Sequence, residues 1–202
     1  MEERPPVQMD VAGIGAGLVV SGRFGPEHAS EDAALVRRAG AGDGVAFARL
    51  YERYVRMVHG LLLARVGRGD VEDLVQDVFL TAWRRLDHLR DPAAFGGWIA
   101  TIARNRATDF HRRTPGTEEL PDHLMSADAP AARVEALAVL ETIRALPEAY
   151  RETLVLRLVE GMTGPEIAER TGLTAASVRV NLHRGMALLR TALGTTSGAR
   201  VR

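Results

Sequence analysis

Between Thr114 and Pro130 every regular pattern in the chain stops. Pro115, Gly116, Pro121 and Pro130 stand there among acids and small residues, and no apolar period survives. Proline fixes φ and removes a backbone donor, so the stretch reads as an extended acidic linker. On either side of it the apolar residues recur at helical spacing. This one interruption limits the fold to two small blocks. Each has roughly 60 patterned residues, close to the size at which only about 60% of the chain surface is buried. Aromatics are 5% of the 202 residues and no strand pattern emerges, so both blocks are expected to be all-α. The expected layout is a disordered tail over 1–29, a helical domain over 30–113, the linker over 114–130, a helix-turn-helix domain over 131–193 and a tail over 194–202.

Charge follows the same division, although the net formal charge is zero. Residues 1–48 carry four Arg against seven acids, and residues 49–113 carry twelve Arg against eight. Residues 114–148 carry two Arg against seven acids, and residues 149–202 carry eight Arg against four. Two basic blocks flanking an acidic one suit two anion-binding modules on a linker; solvated helix faces would give the same tally. All 26 basic residues are Arg and there is no Cys. A Walker lysine, a Schiff-base lysine, a disulfide, a thiolate zinc site and a cysteine nucleophile are all excluded.

The apolar run Val11–Val20 falls far short of the about 18–20 residues that a membrane span needs. Glu2 and Glu3 outweigh Arg4, which is the wrong charge for a secretory leader. Gly13, Gly15 and Gly17 lack the strand and helix that a dinucleotide turn requires, since Gly22, Gly25 and Pro26 follow at once. No cofactor and no metal is implied.

In the first block, Ser30 followed by Glu31 and Asp32 reads as a helix start. A second helix is expected over 45–65. Asp70 is expected to cap a third, over 71–86, whose Val71, Leu74, Val75, Val78, Phe79, Ala82 and Leu86 form one apolar stripe. Its other face shows Asp73, Gln76, Asp77 and Arg84 together with Leu80 and Trp83. Acids interleaved with outward Leu and Trp suit docking to a basic partner; a solvated face and a divalent-metal cluster of Asp70, Asp73 and Asp77 are the alternatives. Asp91-Pro92 opens the next helix, which runs to Arg112-Arg113. From Trp98 onward it carries four Arg against one Asp, with Phe110 and Trp98 as aromatic surface, the composition of a single-strand platform.

In the second block, Pro147 opens a helix with Tyr150, Leu154, Leu158 and Val159 expected inward. A short helix over 165–170, a turn at Gly172 and a helix capped by Thr174 then read as a helix-turn-helix. Val178, Leu182 and Leu189 face inward. Ala176, Arg179, Val180, His183 and Arg184 fall on the opposite side, and no acid lies between Thr174 and Leu193. A basic face after a tight turn suits the major groove, and Thr174 and Ser177 at the helix start suit phosphate. An ordinary αα-hairpin with solvated Arg is the alternative.

Three stretches, in this order and with this linker, resemble the extracytoplasmic-function (ECF) group of bacterial sigma factors. Asp73-Leu74-Val75-Gln76-Asp77-Val78-Phe79 is similar to the family's polymerase-clamp motif, with Asp77 where Glu is commoner. Phe95-Gly96-Gly97-Trp98-Ile99-Ala100-Thr101-Ile102-Ala103-Arg104-Asn105 is similar to its −10 reading segment. Leu146-Pro147 to Glu160-Gly161, Glu166-Ile167-Ala168 and Ser177-Val178-Arg179 are similar to its −35 reading domain. Gly164-Pro165 replaces a bulkier pair, which implies a later start for the first helix of the motif.

The resemblance implies a cytoplasmic, non-enzymatic promoter-specificity subunit. Its partners would be core RNA polymerase (clamp and flap), promoter DNA and an anti-sigma factor. Polymerase docking would fall to Asp73, Leu74, Gln76, Asp77, Leu80 and Trp83. The −10 element would fall to Arg90, Ala94, Arg104, Asn105, Arg106, Arg112 and Arg113, and the −35 element to Thr174, Ser177, Arg179, Val180, His183 and Arg184. A stand-alone helix-turn-helix regulator is the competing expectation.

Overall fold

The turn that opens the first domain is held by one carboxylate. Asp43 accepts the Ala46 N–H at 3.0 Å and caps a helix, while the Arg38 guanidinium of the preceding helix bonds the same group. Gly42 takes a left-handed φ of 93° to make the reversal. The Ala46 N–H holds the Asp43 carboxyl below the usual carboxylate range, helped by Arg38. The helix expected from Val45 thus begins at Gly44, with Asp43 as its cap.

The computed structural model describes residues 26–113 and 131–199. The described residues are helical, with no strand. The first domain holds α1 (Pro26–Gly40), α2 (Gly44–Leu63), α3 (Val71–Arg84) and α4 (Phe95–Arg113). The second holds α5 (Ala131–Arg144), α6 (Glu148–Leu158), α7 (Gly164–Thr171) and α8 (Ala175–Ala199). Short 3₁₀ turns at Arg68–Asp70, Leu86–His88 and Pro92–Ala94 join the first-domain helices. Helix α1 starts at Pro26, so Ser30 lies inside it and is not its cap. Asp70 belongs to a 3₁₀ turn and makes no side-chain cap bond to α3. Helix α8 continues past Leu193 into the expected tail. The expected linker and most of the N-terminal tail lie outside the described residues.

Rings build the first core. Phe79 meets Phe47 and Tyr51 at centroid distances of 6.4 and 4.5 Å, and Tyr54 meets Phe95 at 5.1 Å. Buried Asp32 accepts from the Tyr54 hydroxyl and from Arg53, and so ties α1 to α2. Burial first, then the Asp32 charge, drives the Tyr54 phenol pKa far up. The second core is aliphatic: Leu140, Ile143, Leu154, Leu156, Met162, Ile167, Val178 and Leu189. Leu158 and Val159, expected inward, are 46% and 47% exposed. Helix α6 ends at Leu158, Gly161 turns with φ 65°, and Met162 fills the core in their place.

The two domains pack against each other, with α6 on α2 and α7 on α4, and their buried side chains form one cluster.

Candidate functional site

Three exposed faces carry the chemistry that sequence reading singled out. On α3 the stripe Val71, Leu74, Val75, Val78, Phe79 is buried, so Asp73, Gln76, Asp77 and Leu80 turn outward together. Leu80 is 45% exposed beside these polar groups. Leu74 sits at the edge of the buried stripe. Trp83 departs from expectation: it is buried, its ring 4.8 Å from that of Phe47, because the wide indole leans back onto α2. It supports the acidic face from beneath and is no part of it. Among the described residues no group of three or more acids or His is arranged to hold a metal ion, so Asp70, Asp73 and Asp77 do not form that alternative site.

The second face belongs to α4 and the 3₁₀ turn before it. Asp91 accepts the Ala93 N–H at 3.0 Å and fixes this turn, leaving Arg90 and Ala94 exposed. Asn105, Arg112 and Arg113 are exposed along the helix, with Arg112 paired to Asp109. Arg104 and Arg106 are not free in this way. Arg106 lies 3.9 Å from Asp77 and donates to the Thr81 hydroxyl at 3.3 Å, so it bridges the α4 and α3 faces. Arg104 bonds both carboxylate oxygens of Glu152 on α6, with contacts of 3.1 to 3.2 Å. Trp98 is half-buried against Phe95, at 5.9 Å between rings.

The third face is α8. Thr163 and Glu166 form a reciprocal capping box that starts α7 at Gly164, so Gly164-Pro165 does not delay the helix. Gly172 ends α7 with φ 75°, and Thr174 caps the next helix by accepting the Ser177 N–H at 3.1 Å. Arg179, Val180, His183 and Arg184 line one open concavity, while Val178 and Leu189 are buried beneath. The Thr174 and Ser177 hydroxyls bond one another at 2.8 Å at the same helix start.

Sequence reading missed the seam between the domains. Arg65 bonds Glu152 at 2.7 Å and also bonds Glu148. Burial pulls the Arg65 pKa down, but these two carboxylates outweigh it and the net shift is upward. His59 meets Glu160 at 2.7 Å, and that hydrogen bond raises the imidazole pKa above its ordinary value. Arg144 donates to the Leu63 and Val66 carbonyls at 2.9 and 2.6 Å, satisfying acceptors at the end of α2. Arg170 donates to the Arg53 carbonyl at 2.9 Å. Glycines in mid-helix, Gly60 above all, were the available signal that another backbone or side chain comes close.

Two family models match the chain. The family model for Sigma-70 region 2 matches residues 50–115, and that for Sigma-70 region 4 matches residues 136–189. The RNA polymerase sigma factor NccH of Alcaligenes xylosoxydans xylosoxydans is 33% identical over an alignment 178 positions long that covers 79% of this chain and 93% of NccH. The ECF RNA polymerase sigma-E factor of Haemophilus influenzae is 33% identical over an alignment 176 positions long that covers 78% of this chain and 93% of that protein.

The chain belongs to the ECF group of RNA polymerase sigma factors.

It is thus a transcription initiation factor that works with RNA polymerase in promoter-directed initiation. A region 2 match over the first domain leaves a stand-alone helix-turn-helix regulator unsupported. The structure of CnrH in complex with the cytosolic domain of CnrY also resembles this sigma factor, with a TM-score of 0.58 and 30% identity. The alignment covers 82% of this chain and 98% of that one. CnrH of Cupriavidus metallidurans is 32% identical over an alignment 194 positions long that covers 85% of this chain and 98% of that protein.

Proposed function

We propose that this sigma factor divides its work among the three faces: α3 holds core polymerase, the α4 region reads and holds the melted −10 strand, and α8 reads the −35 duplex. The observation that carries this reading is the segregation of exposed charge. Asp73 and Asp77 stand with Leu80 on α3, whereas the exposed charges of α8 are Arg179, Arg184 and Arg190 with no acid among them. An acidic face with an apolar centre complements a basic protein surface. A basic helix face after a tight turn complements the major groove.

Asp73, Gln76, Asp77 and Leu80 make the polymerase contact, with Leu74 setting the helix beneath. Asn105, Arg104 and Arg106, with the turn from Arg90 to Ala94, hold an extruded −10 base, which couples sequence reading to strand opening. Arg112 and Arg113 neutralise backbone phosphates. Arg179 and Arg184 reach base edges or phosphates, Val180 and His183 shape the readout, and Thr174 and Ser177 take a phosphate at the helix start. The polymerase makes every bond, and the chain itself is not an enzyme. No described helix is long and apolar enough to cross a membrane, which agrees with work in the cytoplasm. CnrH is seen held by the cytosolic domain of CnrY, and we read an anti-sigma partner for this chain as well.

The test is co-elution with core polymerase, followed by transcription from a promoter upstream of its own gene. Asp77→Arg should abolish co-elution while leaving thermal melting unchanged. Co-elution that survives this charge reversal removes α3 as the docking face.

A further inference from the structure

The reading face of α8 is not uniformly polar. Val180 is 42% exposed and lines the concavity together with Arg179, His183 and Arg184. The fold makes no use of its side chain. The buried stripe of α8 runs through Val178 and Leu189, and Val180 is no part of the core cluster. A β-branched residue is also a poorer helix former than Ala or Arg. Residues three and four apart share a helix face, so Val180 stands between Ala176, one turn earlier, and His183 and Arg184, one turn later. No acid answers this face: from Thr174 to Leu193 the charged residues are Arg179, Arg184 and Arg190.

A second observation concerns size. Thr174, Ala175, Ala176 and Ser177 are all exposed and all small. An α-helix with its side chains is about 10–12 Å across, and the major groove is about 12 Å wide. Long side chains in the first turn would hold the helix away from the base edges. These four let it seat deeply. Arg179 and Arg184 reach base edges from a shallow seat as well, because their side chains are long. A short, stiff valine reaches them only from a deep one.

The chemistry then narrows what Val180 can meet. Among the groups that distinguish base pairs in the major groove, the thymine C5-methyl is apolar and the others are donors or acceptors. A donor or acceptor pressed against valine loses its water and gains no partner.

We propose that Val180 is a specificity-determining residue whose methyl groups pack on the C5-methyl of a thymine in the −35 element, and that the small first turn of α8 sets the depth at which this contact forms. The proposal rests on reading α8 as the −35 face. Arg179, His183 and Arg184 then form a polar rim around an apolar centre. The promoters this chain selects carry a T·A pair at the position facing Val180, with thymine on the strand that turns its methyl to the helix.

Uracil pairs as thymine does and lacks only the C5-methyl. The probe is a duplex carrying the promoter upstream of the chain's own gene, bound by holoenzyme reconstituted from core polymerase and the full chain. Each thymine of its −35 element, on either strand, is replaced singly by uracil. One replacement should weaken binding about fourfold, the factor that burial of one methyl-sized group supplies. The others should leave it unchanged. Val180→Ser, at an exposed position, should keep the melting temperature and bind the thymine and uracil duplexes equally. Ala176→Leu should weaken binding of both duplexes and shrink the difference between them.

Uracil without effect at every position overturns the contact, as does a −35 element with no A·T pair. A uracil effect that persists in full in Val180→Ser means that another side chain meets the methyl, and overturns the role of Val180. A difference undiminished in Ala176→Leu overturns the depth set by the first turn. Failure of the underlying reading is distinct from all of these. Scrambling the whole −35 element would then leave holoenzyme binding unchanged, and would overturn α8 as the −35 face together with the thymine contact.

Discussion

The first domain is held by rings and the second by branched aliphatics, and the two use charge differently. Phe47, Tyr51, Tyr54, Phe79, Trp83 and Phe95 interlock within the first domain, and its buried acid, Asp32, bonds groups of that same domain. The second domain packs Leu154, Leu156, Ile167 and Val178, and its buried acids, Glu152 and Glu160, bond residues of the first. A domain whose buried charges are answered within itself keeps its fold when the partner leaves. One whose buried charges are answered across a seam must expose them to water when it opens, and hydration then replaces the lost partners.

The largest expected effect tests this asymmetry. Phe79 is fully buried and touches two other rings, so Phe79→Ala should cost about 3–5 kcal/mol. Thermal melting followed by per-residue amide exchange should show protection lost in α1–α4 first, with α6–α8 keeping theirs. Simultaneous loss everywhere would mean that the seam makes the molecule one cooperative unit.

A smaller effect separates stability from reading. Arg179 is exposed and lies on the concavity of α8, so Arg179→Ala should weaken −35 duplex recognition by about 1–3 kcal/mol where it meets a base edge. The melting temperature should not move. An unchanged promoter preference, read by transcription from sequence-scrambled templates, would refute the contact.

Thr163→Ala removes one half of the capping box and should cost about 1 kcal/mol, confined to amide protection in α7 and the turn after it. Spread of that loss into α2 or α4 would show that α7 transmits strain through the Gly96 contact.

The smallest effect concerns pH. The His59 pKa is raised chiefly by its hydrogen bond to Glu160 and next opposed by burial; the Glu160 and Glu72 charges raise it further and Arg68 lowers it, with Arg56 3.9 Å from Glu160 on the exposed side. A raised pKa means that the ion pair contributes fully below the ordinary histidine value of 6.5, and that the contribution fades as pH rises through the raised value. The contact between the two domains should therefore be slightly more stable at pH 6 than at pH 8.5. His59→Gln should flatten that slope when amide protection along α2 and α6 is followed against pH. The Arg65 and Arg104 contacts should not respond over this range, because a guanidinium stays charged.

Much of this molecule was legible in the sequence. The α3 stripe, the Gly172 turn and the outward set Arg179, Val180, His183, Arg184 follow from a 3.6-residue period and from one residue free to take positive φ. Trp83 was misread because a helical wheel gives direction only, whereas an indole is wide enough to lean across to Phe47. Leu158 and Val159 were misread because the period was carried past the point where α6 stops. The seam was illegible for a different reason. Nothing local in Arg104 or Glu152, 48 residues apart, says that they meet.

The turn at Asp43 has a consequence in time. Its bonds join residues three and five apart, and α1 packs directly onto α2, so this hairpin can close as soon as it is made. The seam bonds instead join residues 48 to 117 apart. At a synthesis rate of about 5–20 residues per second, on the order of 2–9 seconds separate the end of α4 from the end of α6. Throughout that interval the nascent first domain presents Arg104 uncovered and α3 complete. A newly made chain on the ribosome thus begins life open, and closes only once its second half has arrived.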